Sequence, residues 1–281
     1  YEWFGYPTSE RRSGRPQILV SLGGAATPES WRQVFGALEP NMESSDYVFV
    51  GSENALDQFA NTGDRLRLEH SSSGLINELK QTDIAIVSAG VSMYELLASG
   101  KPGIVLATAA NQLHAFQAGR KLKAFEAFHF DAFVASNAIA PVIDQLCASD
   151  RSLAWLRSRS LVDHFGTLRL LLSLGLQPKD HFELRPFETA DLPFLLRLVN
   201  QGSVVSSSFS LSAVAPKEHW EWSQTIGTRR RIWIFEVSGL PIGQCRLDSE
   251  GNGYILSYSI EELFQGRGYS KLMLKALIRE I

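Results

Sequence analysis

Short apolar runs, each followed by a small-residue loop and a helical pattern, recur through the first half of the chain. Ile84 to Val87 is too short for a helix and suits a buried strand. The loop Ser88-Ala89-Gly90-Val91 follows it, and a helix is expected from Ser92 to about Ser99. Gly100 and Pro102 then act as stop signals. Gly103 to Ala107 reads as the next strand, leading to a polar loop that ends in Asn111-Gln112. The same grammar appears earlier, where an apolar strand from Gln17 runs through Ser21 into Gly23-Gly24. Thr27 as N-cap and Pro28 at the first helical position then open a helix to about Leu38. Asp46 to Gly51 and Leu66 to Glu69 read as further strands. Asn54 to Ala60, Gly74 to Gln81 and Leu113 to Leu122 read as helices, as do Asn137 to Ser149 and Leu153 to Leu174. Such alternation predicts an α/β fold with a Rossmann-like parallel sheet covered on both faces.

The pattern changes near His181. Phe182 to Phe187 alternates as a strand, Thr189 to Asp191 opens a helix to about Asn200, and Pro216 to Thr225 is a second helix. Arg231 to Val237, Pro241 to Leu247 and Gly253 to Ile260 are strands of an antiparallel meander with turns at Ser238-Gly239 and Ser249 to Gly251. A glycine-rich turn, Gln265 to Ser270, leads into a helix from Lys271. The expected organisation is a linker over residues 1–16, an α/β domain over 17–176, a connector over 177–181 and a mixed α+β domain over 182–281. The chain starts without methionine and stops at Ile281 inside a helical pattern, so truncation at both ends is expected.

At 281 residues the length accommodates two domains, and 44% hydrophobic with 20% charged content is ordinary for a globular chain. A net charge of −3 gives no electrostatic case for nucleic acid or an anionic membrane. Cys147 and Cys245 lack metal or redox spacing, which fits buried thiols in a reducing compartment, with the cytoplasm as default. No metal-ligand spacing appears, and no metal is expected.

The candidate chemistry sits in the loops. A loop at the carboxyl end of a parallel strand, aimed at a helix N-terminus, is where such sheets hold phosphates and nucleotides. Ser92 and Glu95 also have capping-box spacing, which would explain both without a ligand. Gly23-Gly24 is equally explained by a tight turn, and Asn111 by an N-cap. His70 reads as an exposed loop histidine, and His114 has no assigned role. Asp163, His164 and Arg169 read as surface or cap residues.

Ser-Ala-Gly-Val-Ser-Met-Tyr-Glu-Leu-Leu-Ala-x-Gly-Lys-Pro followed by Asn-Gln resembles the nucleotide-sugar half of GT-B glycosyltransferase-like proteins. Within them it is similar to the hydrolases that remove UDP from a diacetamido-trideoxy-hexose in pseudaminic acid synthesis. The resemblance covers roughly residues 15 to 170. It implies that Glu95 holds the uridine ribose and that Ala89, Gly90, Val91 and Ser92 approach the diphosphate. Ser21, Gly23 and Gly24 would face the same ligand, with Asn111 and Gln112 near the sugar or diphosphate.

Strand, two helices, three strands and Gln-x-x-Gly-x-small at a helix start resemble the Gcn5-related N-acetyltransferases over Phe182 to Ile281. The resemblance implies acetyl-CoA as co-substrate. Backbone amides of Gln265, Gly266, Arg267, Gly268, Tyr269 and Ser270 would cradle its pyrophosphate. Backbone groups around Ser257, Tyr258, Ser259 and Ile260 would bind its pantetheine arm. Ser270 departs from the Gly or Ala usual there. Glu236, Asp248, Tyr258 and His219 are ionisable groups that could approach an amine, and Trp220 and Trp222 read as core. Phe209-Ser210, Glu218-His219 and Ile242 to Arg246 resemble segments of hydrolases carrying a C-terminal acetyltransferase. That resemblance implies a bifunctional enzyme: one domain acetylates the 4-amino group of a UDP-linked amino sugar, and the other hydrolyses UDP from the product. It also implies that the hydrolytic histidine and a thiolate-protonating tyrosine lie outside this chain. Alternatives are a UDP-sugar glycosyltransferase half fused to an acetyltransferase, and a non-catalytic module that senses UDP-sugar or acetyl-CoA.

Overall fold

The computed structural model describes residues 14–70, 74–136, 139–163, 165–174, 181–206 and 212–281. Phe209-Ser210, His164 and the residues expected to form most of the linker and connector lie outside that set. Two compact units divide between Ser158 and Arg159, earlier in the chain than the connector near His181.

The first unit alternates strands and helices. In chain order these are β1 (Gln17–Ser21), α1 (Pro28–Leu38), β2 (Asp46–Val50), α2 (Glu53–Leu56), β3 (Leu66–Glu69) and α3 (Gly74–Gln81). Then come β4 (Ile84–Ser88), α4 (Val91–Ser99), β5 (Gly103–Ala107), α5 (Leu113–Lys121), β6 (Glu126–His129), α6 (Phe130–Val134), α7 (Ile139–Ala148) and α8 (Arg151–Leu161). All strands pair in parallel in the order β3-β2-β1-β4-β5-β6. Every residue of β4 and β5 is buried, as a strand covered on both faces requires. Thr27 caps α1 as expected: its hydroxyl accepts from the Ser30 N–H at 3.2 Å, and Pro28 follows in the first turn. Trp31 of α1 packs on Phe49 of β2 with centroids 5.1 Å apart, and Phe49 meets Phe59 edge-on. Full burial of an aromatic ring of this size contributes about 2–3 kcal/mol. At the amino ends of the strands, Asp83 accepts from the Gln17 N–H at 2.8 Å and pairs with Arg151 of α8. This tether aligns β1 beside β4.

Three features up to the start of the second unit differ from the sequence reading. β6 was not expected, because an edge strand with the pattern Glu-Ala-Phe-His carries no apolar run. α4 begins at Val91 with Gly90 as N-cap, so Ser92 lies inside the helix. The expected helix over 153–174 is broken into α8 and α9 (Gly166–Ser173), where Asp163 turns to accept from the Phe165 N–H at 3.0 Å.

The second unit continues with β7 (Phe182–Pro186), α10 (Leu192–Val199), α11 (Gly202–Ser206), α12 (Pro216–Ser223), β8 (Arg230–Val237), β9 (Leu240–Glu250), β10 (Gly253–Ile260) and α13 (Tyr269–Glu280). Its antiparallel sheet has the order β10-β9-β8-β7. One face of β9, with Cys245 and Leu247, packs on Met273 and Leu277 of α13. The opposite face of β8, with Ile232 and Ile234, packs on Phe194, Leu195 and Leu198 of α10. Burial of Cys245 pushes its thiol up to about 12.

Asp163 and Arg169 are not surface or cap residues alone. Arg169 pairs bidentately with Asp163 at 2.7 and 2.6 Å, and Arg197 of α10 reaches the same carboxylate at 2.8 Å. Both arginines also approach the buried Glu261. Phe165 and Leu168 pack against the α13 core, so residues preceding the expected connector belong to this unit. The helix opening at residue 189 is a short 3-10 turn closed by a capping box between Glu188 and Asp191.

Candidate functional sites

In the first unit, the strand order reverses direction between β1 and β4, and the loops leaving their carboxyl ends lie side by side. This topological switch is where open α/β sheets bind nucleotides. Ser88, at the end of β4, is the centre of the site. A Cβ on Gly23 would lie 3.2 Å from the Ser88 hydroxyl, and Gly23 has φ +79°. A Cβ on Gly90 would lie 3.8 Å from that hydroxyl and 3.8 Å from Gln112 Nε2. The β1, β4 and β5 loops therefore converge, with Gly23 and Gly90 against Ser88 and Gln112 against Gly90.

The polar groups here are under-used. Ser21, Ser88 and Ser92 are 5%, 3% and 8% exposed, yet their hydroxyls make no hydrogen bond among the described residues. The Gln112 carbonyl accepts from the Thr108 N–H at 2.9 Å and the Thr108 hydroxyl at 3.1 Å. That fixes Gln112 while leaving its amide nitrogen on the Gly90 side. Asn111 is exposed and is not the helix cap; Ala109 and Gln112 hold the cap positions. Gly24 is exposed, Ala89 is buried, and Val91 is exposed on the first turn of α4.

Glu95 is not half of a capping box. Gly90 caps α4 without a side-chain bond, and the half-buried Glu95 carboxylate has no partner among the described residues. Burial raises its pKa, with no neighbouring cation to offset the effect. An unpaired carboxylate one turn from a Gly-containing loop can accept hydrogen bonds from ligand hydroxyls. His70 and His114 are exposed.

In the second unit, a cavity of about 760 Å³ lies between the sheet and the helices α10 and α12. Its walls include Ser257, Tyr258, Ser259 and Ile260 of β10, and Gln265, Gly266, Gly268, Tyr269 and Ser270 of the loop before α13. Arg267 alone among the expected acetyl-CoA contacts does not line it; its guanidinium sits 5.9 Å from the Phe264 ring centroid. Gly268 has φ +82° at the N-cap of α13, and no atom lies within 4 Å of a Cβ built there. A helix end capped without a side chain leaves its amides to an anion. The Gln265 side chain donates to Ile260 O at 2.9 Å and lies 3.1 Å from Ser203 Oγ, and Glu262 accepts from the Ser203 N–H at 2.6 Å. These bonds pin the loop to α11. β10 is the outer strand of the sheet, with its far edge unpaired by any described strand. The residues therefore fit the backbone-binding arm and pyrophosphate of acetyl-CoA.

His219 and Trp222 of α12 also line the cavity, as do Gln244 and Arg246 of β9, which pair with Ser259 and Ser257 of β10. His219 is buried, stacks on Trp222 at 5.0 Å, and leaves Nε2 without a partner. Burial, only partly offset by a bond with the Leu192 backbone, lowers its pKa to about 4. Trp222, expected in the core, forms cavity wall as well. Glu236 is committed to Arg185, which donates to it at 2.8 Å, and burial outweighs that cation and raises its pKa. Asp248 is held by Arg246 at 2.7 Å. Sequence reasoning missed Gln244 and Arg246 as cavity groups. The available signal was their alternation on β9 with Gly243, Cys245 and Leu247, a polar row on a face that should bury against helices.

Among the described residues no cluster of His, Cys, Asp or Glu could hold a metal, and no helix is long and apolar enough to cross a membrane. No protein-family model matches the chain, and no curated protein matches it. Solved structures similar to it fall into two groups. The aminoglycoside acetyltransferase AAC(6')-Ib, solved with an aminoglycoside and acetyl-CoA, is 18% identical over 36% of this chain and 66% of its own, with TM-score 0.32. AAC(6')-Iy with CoA is 17% identical over 36% and 70%, with TM-score 0.28. The spinosyn rhamnosyltransferase SpnG, solved with thymidine diphosphate, is 14% identical over 60% of this chain and 48% of its own, with TM-score 0.48. This chain thus spans about half the length of the rhamnosyltransferase. Identities of this size carry no substrate from one protein to another.

Proposed function

We propose that this chain is part of a bifunctional enzyme of nucleotide amino-sugar metabolism. Its first unit holds a UDP-linked sugar, and its second transfers acetyl from acetyl-CoA to a sugar amine. One observation carries the reading: each unit leaves bare donors, three serine hydroxyls in one and the α13 amides in the other, beside glycines at a helix start. Such places suit the diphosphate of a nucleotide and the pyrophosphate of CoA.

In the first unit, Ser21, Ser88 and Ser92 and the Gly90 loop would face the diphosphate, and Glu95 the ribose. In the second, the β10 edge and the Gln265–Ser270 loop would hold acetyl-CoA so that its thioester points towards the cavity. The neutral acceptor amine attacks the thioester carbonyl, a C–N bond forms, the C–S bond breaks, and the proton lost from the nitrogen ends on the departing sulfur, giving the amide and CoA thiol. The finer reading is that the amine is the 4-amino group of a UDP-linked trideoxy-hexose. The diacetamido product would then lose UDP by hydrolysis with the help of groups outside this chain.

Calorimetric titration of UDP into the protein and its Glu95→Ala variant tests the first half. Loss of a carboxylate bonded to ribose should weaken binding about ten- to a hundredfold. Titration with CoA tests the second. A folded protein that ignores both ligands overturns the proposal.

A further inference from the structure

The second unit's cavity carries a charge cluster beside the β10 edge, where Arg246 pairs across the strands with Ser257. Arg246 of β9 lines it, and Arg230 of β8 lies beside it, the two guanidiniums 5.8 and 5.0 Å from the Trp222 ring centroid. Asp248 sits between them, bonded to Arg246 Nε at 2.7 Å and 3.4 Å from Arg230 Nε. One carboxylate against two guanidiniums leaves a net positive charge. The polar atoms of the cluster are also poorly satisfied. Arg230 Nε and Asp248 Oδ1 are buried without a hydrogen bond, and Arg246 otherwise reaches only Ser257 Oγ at 3.5 Å. Glu218 on the cavity wall is exposed and pairs with no described cation. An aromatic-backed guanidinium with free N–H groups, facing a cavity, is suited to an oxyanion.

We infer that Arg246, backed by Trp222 and oriented by Asp248, is an anion subsite that binds a phosphate of the acetyl acceptor. The acceptor of this domain is then a phosphate-bearing amine, and Arg246 selects it against polycationic amines. The inference rests on the acetyltransferase reading above.

The test titrates UDP, as phosphate probe, into the protein saturated with CoA, beside Arg246→Ala, Arg246→Gln and Glu95→Ala variants. Saturation with CoA fills the Gly266–Ser270 loop. Two UDP-binding events are expected, one weakened by Glu95→Ala and the other weakened about ten- to a hundredfold by Arg246→Ala. Arg246→Gln, which keeps an N–H donor and removes the charge, should weaken the same event and serves as the second variant where Arg246→Ala disturbs the fold. CoA binding by each variant reports that the unit is intact. A protein that binds CoA, yet whose UDP titration is indifferent to both Arg246 changes, overturns the anion subsite alone. A parent that does not bind CoA overturns the acetyltransferase reading and this inference with it.

Discussion

Gly23, after β1, and Ser88, at the end of β4, approach so closely that a Cβ on the glycine would stand 3.2 Å from the serine hydroxyl. That is tighter than an ordinary side-chain contact, and the glycine's φ of +79° is left-handed as well. Gly23→Val should therefore cost about 1–2 kcal/mol of stability from backbone strain, seen as a shifted denaturation midpoint. It should also cover the Ser88 hydroxyl and weaken UDP binding more than the loss of stability accounts for. A Val variant that binds UDP like the parent would move the nucleotide away from this loop.

Gly268 offers the matching test in the second unit. Its φ of +82° at the α13 N-cap is unsuited to a side chain, and its Cβ position is open to the cavity side. Gly268→Val should weaken CoA binding about tenfold or more, measured by calorimetry, while leaving UDP binding by the first unit unchanged.

Asp163 makes the second unit sensitive to strong acid. Burial pushes its carboxyl up, but the Arg169 hydrogen bonds, the charges of Arg197 and Arg169 and the Phe165 N–H more than offset this and hold it at about 2. A carboxyl held below its unfolded value contributes stability that is full above about pH 4 and is lost as pH falls towards 2. The contribution is on the order of 2 kcal/mol. Denaturant titrations from pH 5 to 2 should show that loss, and Asp163→Asn should flatten it while lowering stability at neutral pH.

His219 acts over a different window. Its native value of about 4 lies below the unfolded value of about 6.5, so the unfolded chain takes up the proton first. Stability is full above pH 6.5 and falls between there and pH 4. His219→Gln, which cannot titrate, should remove this slope and leave the lower Asp163 transition in place.

Much of this protein was legible along the chain. Period-two and short apolar runs marked five of the six strands of the first unit, Thr27 and Pro28 marked the start of α1, and the meander of β8, β9 and β10 was visible through its turns. These are local signals, set by side-chain alternation and turn chemistry within a few residues. Glycines at Gly23, Gly90, Gly266 and Gly268 were likewise readable as places where backbone is left bare. β6 stayed hidden because it owes its pairing to β5 beside it rather than to its own four residues.

The tertiary structure decided the rest. Capping-box spacing between Ser92 and Glu95 was present in the chain, yet Gly90 is the N-cap and Ser92 is buried inside α4, so Glu95 takes no part in a cap. Asp163 and Arg169 looked like solvated charges until Arg197 and Glu261, distant in sequence, closed around them. Arg246 and Asp248 are neighbours on one face of β9, but only cross-strand pairing sets Arg230 opposite Asp248, and only helix packing brings Trp222 over both arginines. Local pattern fixes which residues form strands and helices, because dihedral preference and burial period act within one element. Which loops and charges meet depends on crossover order and sheet register, and these are settled only when the whole core packs.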